Sequence, residues 1–176
     1  MPYNIEIKAK VSNMDKLRSL AKNIATKPCQ IIHQEDVFFQ TGTGRLKLRI
    51  LSDTIGKLIH YERPNTNEIK LSSYLIYETS KPGELRNLLA TSLGEIITVK
   101  KKRELYITGQ TRIHLDEVDE LGSFMELEVV LNPDQTPEDG RLIASELMEK
   151  LGVNESDLVS WAYADLLLAK AESGNR

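Results

Sequence analysis

Apolar and polar residues alternate through the first stretch of the chain, Tyr3-Asn4-Ile5-Glu6-Ile7-Lys8-Ala9-Lys10-Val11. Period two is the mark of a β-strand with one apolar and one polar face. The pattern returns in Arg45-Leu46-Lys47-Leu48-Arg49-Ile50-Leu51, from Thr111 to Val118 and from Ser123 to Leu131. Four more strands are predicted over Cys29–Gln40, Lys57–Arg63, Ile69–Thr79 and Glu95–Thr108, with turns such as Thr41-Gly42-Thr43-Gly44, Pro64-Asn65 and Gly109-Gln110 between strands. Spacings of three and four mark helices instead. Met14, Leu17, Leu20, Ala21 and Ile24 predict a helix over Asn13–Ile24, and Leu85, Leu88 and Leu89 a short one over Glu84–Ser92. Thr136 and Pro137 open a third, to Leu151, and Ser156 caps a last one through Trp161, Tyr163, Leu166 and Leu167.

Eight strands joined mostly by short turns predict an α+β fold: a closed eight-stranded antiparallel β-barrel with helices packed outside. No internal repeat or domain boundary interrupts the pattern, so residues 1–170 read as one domain and 171–176 as a polar tail.

Amphipathic helices coating the barrel would take the apolar strand faces and turn the charged faces inward. The charged faces are uneven in sign: Arg45, Lys47 and Arg49 share one, and Glu126 and Glu128 share another. Like charges two apart on a strand repel, so stability alone does not favour them. Two readings are open, internal salt bridges between strands or a ligand. The expected interior cations are Lys8, Arg45, Lys47, Arg49, Arg63, Lys70, Lys101, Arg103 and Arg112, and the expected anions Glu6, Asp116, Glu126 and Glu128, an excess of five positive charges. Such an interior suits a polyphosphate, gripped by Arg forks and Lys point charges. The carboxylates suit a hard divalent ion, Mg²⁺ or Mn²⁺.

The bulk numbers narrow the partners. The 176 residues are 40% apolar and 28% charged, with net charge −3. Without an overall basic field, no nucleic-acid partner is expected, despite the local patch Lys100-Lys101-Lys102-Arg103. Cys29 is the single cysteine, so an intrachain disulfide is excluded and a reducing compartment allowed. No apolar run is long enough to span a bilayer. A cytoplasmic protein without a membrane partner, monomeric or homodimeric, is expected. His33, His60 and His114 show no metal-ligand spacing.

Ile5-Glu6-Ile7-Lys8 resembles the Glu-x-Glu-x-Lys signature of the CYTH superfamily, the triphosphate tunnel metalloenzymes. The similarity continues in order through Asp36-Val37-Phe38-Phe39, Arg45 to Arg49, Tyr61-Glu62-Arg63-Pro64, Lys100 to Arg103, Arg112 to Asp116 and Leu121 to Glu128. The resemblance implies a triphosphate held in a basic tunnel, with ATP, thiamine triphosphate or tripolyphosphate as substrate. It implies a metal-dependent triphosphatase, with a class IV adenylyl cyclase forming cyclic AMP and pyrophosphate as the alternative, and a non-catalytic polyphosphate binder as a further one. Glu6, Lys8, Glu126 and Glu128 are the implied catalytic residues. Glu6, Asp116, Glu126 and Glu128 are the implied metal ligands. The nine cations, Lys8 among them, are the implied phosphate ligands. Asn4 stands where the family's first Glu falls, which places a neutral carbonyl oxygen at one metal position.

Overall fold

The computed structural model describes residues 4–62 and 74–174. Its elements in order are β1 (Asn4–Lys10), α1 (Met14–Ile24), β2 (Gln30–Phe39), β3 (Arg45–Ser52), β4 (Ile55–Tyr61), β5 (Tyr74–Thr79), α2 (Pro82–Leu93), β6 (Glu95–Thr108), β7 (Thr111–Val118), β8 (Gly122–Val130), α3 (Pro137–Leu151) and α4 (Tyr163–Gly174). The caps follow from local chemistry. The Asn13 side chain accepts the Lys16 N–H at 3.0 Å, and Thr136 with Asp139 forms a capping box at the start of α3.

All eight strands lie in one antiparallel sheet, in the order β1-β8-β7-β6-β2-β3-β4-β5. The sheet has two ends, β1 and β5, and among the described residues no ladder joins them. The expected closed barrel is therefore an open sheet. One cause is that the free edge of β1 is already covered: the Val159 N–H donates to the Lys8 carbonyl at 2.8 Å, and Leu158 bridges Ala9. At the other end β5 is short and pairs with β4 alone among the described strands. Arg63 to Ser73, which contain the end of one predicted strand and the start of the next, lie outside the described residues.

The sheet is curled nonetheless. Lys8 on β1 sits 4.0 Å from the centre of the Tyr163 ring, and Arg45 on β3 bonds Asp165, two residues further along the same helix. β1 and β3 are five strand spacings apart, about 24 Å in a flat sheet. Helical residues two apart advance only about 3 Å. Both contacts are met only if the sheet folds round α4 into a trough.

The alternation predicted for the strands separates the two faces. Ile5, Ala9, Ile113, Leu115, Met125, Leu127 and Val129 form the outer face with α1 and α3, and Val37, Phe39 and Leu48 meet Leu85, Leu89 and Ala90 of α2. Three helices thus coat the apolar face as expected. α4 departs from expectation: it packs against the charged face through Tyr163, Ala164 and Leu167, on Phe38, Val99, Val118 and Phe124. It also starts later than predicted, because Leu158 and Val159 are extended along β1, and it runs to Gly174, into the expected tail.

Candidate functional site

Register places the site. Glu6 lies opposite Glu128 and Lys8 opposite Glu126 across β1 and β8; His114 lies opposite Glu126, and Asp116 opposite Arg103. Asp36 lies opposite Arg49, and Gln34 opposite Lys101. All of these side chains share the inner face. Seven of the nine expected cations, Lys8, Arg45, Lys47, Arg49, Lys101, Arg103 and Arg112, fall on it, whereas Arg63 and Lys70 lie outside the described residues.

Three clusters hold the charges. In the first, Asp36 accepts from Lys47 Nζ at 3.0 Å and from Arg49 Nε and Nη2 at 2.8 Å each. Burial penalises this carboxylate, but Lys47 and Arg49 win and hold its pKa far below the ordinary range. In the second, Arg103 donates a bidentate pair to Asp116 at 2.8 and 2.7 Å and a further bond to Glu126 at 3.0 Å. Lys8 is 3.5 Å and His114 3.7 Å from Glu126. Burial raises the Glu126 pKa, yet His114, Arg103, Lys8 and Lys101 together bring it well below normal. Tyr163 donates its hydroxyl to Asp116 at 2.8 Å, and burial with the nearby Glu126 and Asp116 charges pushes its own pKa far up. In the third, at the β3 end nearest α4, Arg45 donates to both oxygens of Asp165 at 3.1 and 2.9 Å.

Lys101 differs from the other buried cations. It is 7% exposed, with no carboxylate within ion-pair distance among the described residues, facing the Tyr163 ring at 5.0 Å. Burial, then repulsion from Arg103, lowers its pKa to about 7. Its register partner Gln34 has a buried side-chain oxygen that accepts no hydrogen bond from the described residues.

The expected excess of five positive charges shrinks once the inner face is drawn. Asp36 and Asp165 join Glu6, Asp116, Glu126 and Glu128, so the seven described cations face six carboxylates. The anions missed in the sequence are the ones that hold Arg45, Lys47 and Arg49. Asp36 lies in a strand whose two faces both carry buried apolar residues, Val37 and Phe39 on one and Phe38 on the other, so its alternation did not mark Asp36 as inward. Asp165, on a helix expected outside the barrel, offered no signal either.

Divalent metal needs several oxygen donors. Glu6 and Glu128 leave the same face directly opposite each other, and Asn4 Nδ2 donates to Glu128 at 2.7 Å. The Asn4 side-chain oxygen is buried and accepts no hydrogen bond from the described residues. This set of carboxylates and an orphaned amide oxygen fits a hard cation. Asp116 does not: it is fully buried and its two oxygens are taken by Arg103 and Tyr163, so it positions Arg103 instead. Among the described residues no three His, Cys, Asp or Glu side chains are gathered tightly enough to enclose an ion, so phosphate oxygens would complete its shell.

Fold and face together define an α+β protein with a curled antiparallel sheet and a cation-lined trough. The chain belongs to the CYTH domain family, whose model matches residues 2–163. It is 24% identical over 170 residues to "Putative adenylate cyclase MJ0240" of Methanocaldococcus jannaschii, covering 92% of this chain and 97% of that one. Among solved structures it is similar to the PH1012 protein of Pyrococcus horikoshii OT3, with TM-score 0.80, 24% identity, and 93% and 98% of the two chains covered. It also resembles "Putative adenylyl cyclase HpAC1" of Hippeastrum, which is described as having a dominant triphosphatase activity, with TM-score 0.66, 15% identity, and 97% and 96% covered. No helix among the described residues is long and apolar enough to cross a membrane.

Proposed function

We propose that the chain is a divalent-metal-dependent phosphohydrolase that binds a triphosphate along its trough and cleaves the terminal phosphoanhydride bond. The observation that carries this reading is the row Arg45, Lys47, Arg49, facing Arg103 and Lys101 over one buried surface. Successive same-face residues of a strand are about 6.8 Å apart, so the row offers one cation to each part of a phosphate chain. Arg49 and Arg103 supply forked donors, and Lys47 and Lys101 supply point charges. An incoming phosphate chain exchanges with Asp36 and Asp165 as the partner of these cations. Glu6, Glu126 and Glu128, with the Asn4 oxygen, would hold Mg²⁺ or Mn²⁺, and Asp116 and Tyr163 fix the direction of the Arg103 fork. When bound, the ion polarises the phosphoryl group and lowers the pKa of the attacking oxygen. Water then attacks the terminal phosphorus, the bridging P–O bond breaks, and diphosphate (or the organic diphosphate) and phosphate leave.

The name of the archaeal relative favours a second reading, in which the nucleophile is a ribose 3′-hydroxyl and ATP gives cyclic AMP and pyrophosphate. One assay separates the two. Incubation with tripolyphosphate, thiamine triphosphate and ATP, each with Mg²⁺ or Mn²⁺, should release phosphate from at least one of them. Cyclic AMP with pyrophosphate and no phosphate would select the cyclase, and no product under any condition would leave only a polyphosphate-binding role.

A further inference from the structure

The two ends of the sheet are finished differently. The edge of β1 is closed by Leu158 and Val159, whose backbone lies along Lys8 and Ala9. The outer edge of β5 pairs with no described strand. Folded proteins blunt such an edge with lysine, proline or a bulge, because an unpaired row of N–H and C=O groups templates another strand. β5 carries none of these. Its middle is Leu75-Ile76-Tyr77, and these side chains are 73%, 57% and 66% exposed. Register against β4 puts Ile76 on the inner face, opposite Ile59, and Leu75 and Tyr77 on the outer face. Both faces of this edge are therefore apolar and open to solvent. The single charge of β5, Glu78, lies 3.2 Å from Lys57 of the neighbouring strand.

We propose that β5 is the seam of a homodimer, in which the β5 strands of two copies pair antiparallel about a two-fold axis at Ile76. Two observations select a second copy of this chain as the occupant. The covered edge of β1 leaves no open strand for a head-to-tail β1–β5 contact, so addition through β5 closes at two copies and does not run on into a fibre. The strip is also complementary to itself. About that axis Ile76 meets its own symmetry mate, and Leu75 of each copy faces Tyr77 of the other. Side chains directly opposite on antiparallel strands lie about 4.5–5.5 Å apart at Cβ, within packing contact. Glu78 falls opposite Tyr74, so no like charges oppose each other. An axis normal to the sheet keeps the inner faces on one side, and the two troughs open together. An edge of six residues is well short of the about 20–30 residues a side of a standard interface, so the contact is weak and reversible.

Sedimentation velocity of the full chain, from about 1 μM to about 500 μM, spans the weak range and needs no ligand. The wild type should rise toward twice its monomer mass. Leu75→Lys with Tyr77→Lys sets lysine against lysine twice across the seam and should weaken dimerisation at least tenfold. Leu75→Lys with Tyr77→Glu sets lysine against glutamate in the same register and should dimerise at least fivefold more tightly than the double-lysine variant. Both positions are exposed, and circular dichroism checks that the fold is kept. Ile76→Cys in a Cys29→Ser chain should form a disulfide dimer on mild oxidation, since opposite Cα atoms about 4.5–5.5 Å apart suit the bond. Leu88→Cys in the same background, 62% exposed on α2, should not. A wild type that stays monomeric throughout would leave the edge to a strand of a different protein and overturns the proposal. So does a dimer that the double-lysine variant leaves intact, or one that Ile76→Cys fails to cross-link.

Discussion

Asp36 shows at the scale of one residue how the trough is kept ready. Two half-buried cations share its carboxylate at 2.8–3.0 Å, and the carboxylate itself is buried. Removing one partner of a buried pair leaves the others uncompensated, at a cost of about 3–5 kcal/mol. Asp36→Asn should therefore lower stability by about 3 kcal/mol in urea unfolding. It should also tighten tripolyphosphate binding, because Lys47 and Arg49 lose their competitor. A variant that is less stable and also binds more weakly would show that Asp36 orients the cations rather than competing for them. Glu126→Gln tests the opposite wall. It should cut metal-dependent phosphate release at least a hundredfold, on the order of one lost transition-state contact or more, with an unchanged circular dichroism spectrum. The inward direction of Lys8, Lys47, Arg49 and Glu126 was legible in the alternation of their own strands. The role of Asp36 was not, since it depends on the register of β2 against β3, and alternation within one strand carries no register.

Helices show the same division between what a segment says of itself and what its neighbours decide. α1 and α3 follow their periodicity and caps almost to the residue. α4 does not, because the segment that reads as its first turn is drawn into pairing with β1, and tertiary hydrogen bonds override local propensity there. The same interplay governs how closely α3 can approach the sheet. A Cβ at Gly140 would come within 2.5 Å of Ile5 Cγ1 and 2.6 Å of Leu131 Cδ2. Gly140→Ala gains about 1 kcal/mol of helix propensity. It then has to displace a buried β-branched side chain, and overpacking of this kind costs about 1–3 kcal/mol. The net expectation is a loss of up to about 2 kcal/mol in the urea midpoint analysis, with catalytic constants unchanged. A stabilised Gly140→Ala protein would mean that α3 can lift from β1 at little cost.

At the scale of the whole sheet, the near balance of seven expected cations and six carboxylates among the described residues explains how so much charge shares one face of a protein of net charge −3. Among the described residues Lys47, Arg49 and Arg103 each have a carboxylate within ion-pair distance, whereas Lys101 has only the Tyr163 ring beside it, and a ligand phosphate would give it a direct anionic partner. Its folded pKa, about 7, lies below the value of about 10.4 for an unfolded lysine. Between those values the unfolded chain binds more protons, so Lys101 makes stability rise with pH from about 7 upward. Lys101→Met should flatten that slope in unfolding measured from pH 7 to pH 9. Ligand binding works in the other direction. At pH 8 Lys101 is largely neutral, and a phosphate oxygen beside it restores its ordinary pKa, so binding of tripolyphosphate should take up about one proton. Calorimetry in buffers of different ionisation enthalpy reads that uptake directly, and Lys101→Met should abolish it. Undiminished uptake in the variant would assign the proton to Lys47, which burial also drives below its normal pKa, and would place the phosphate chain closer to β3 than to β6.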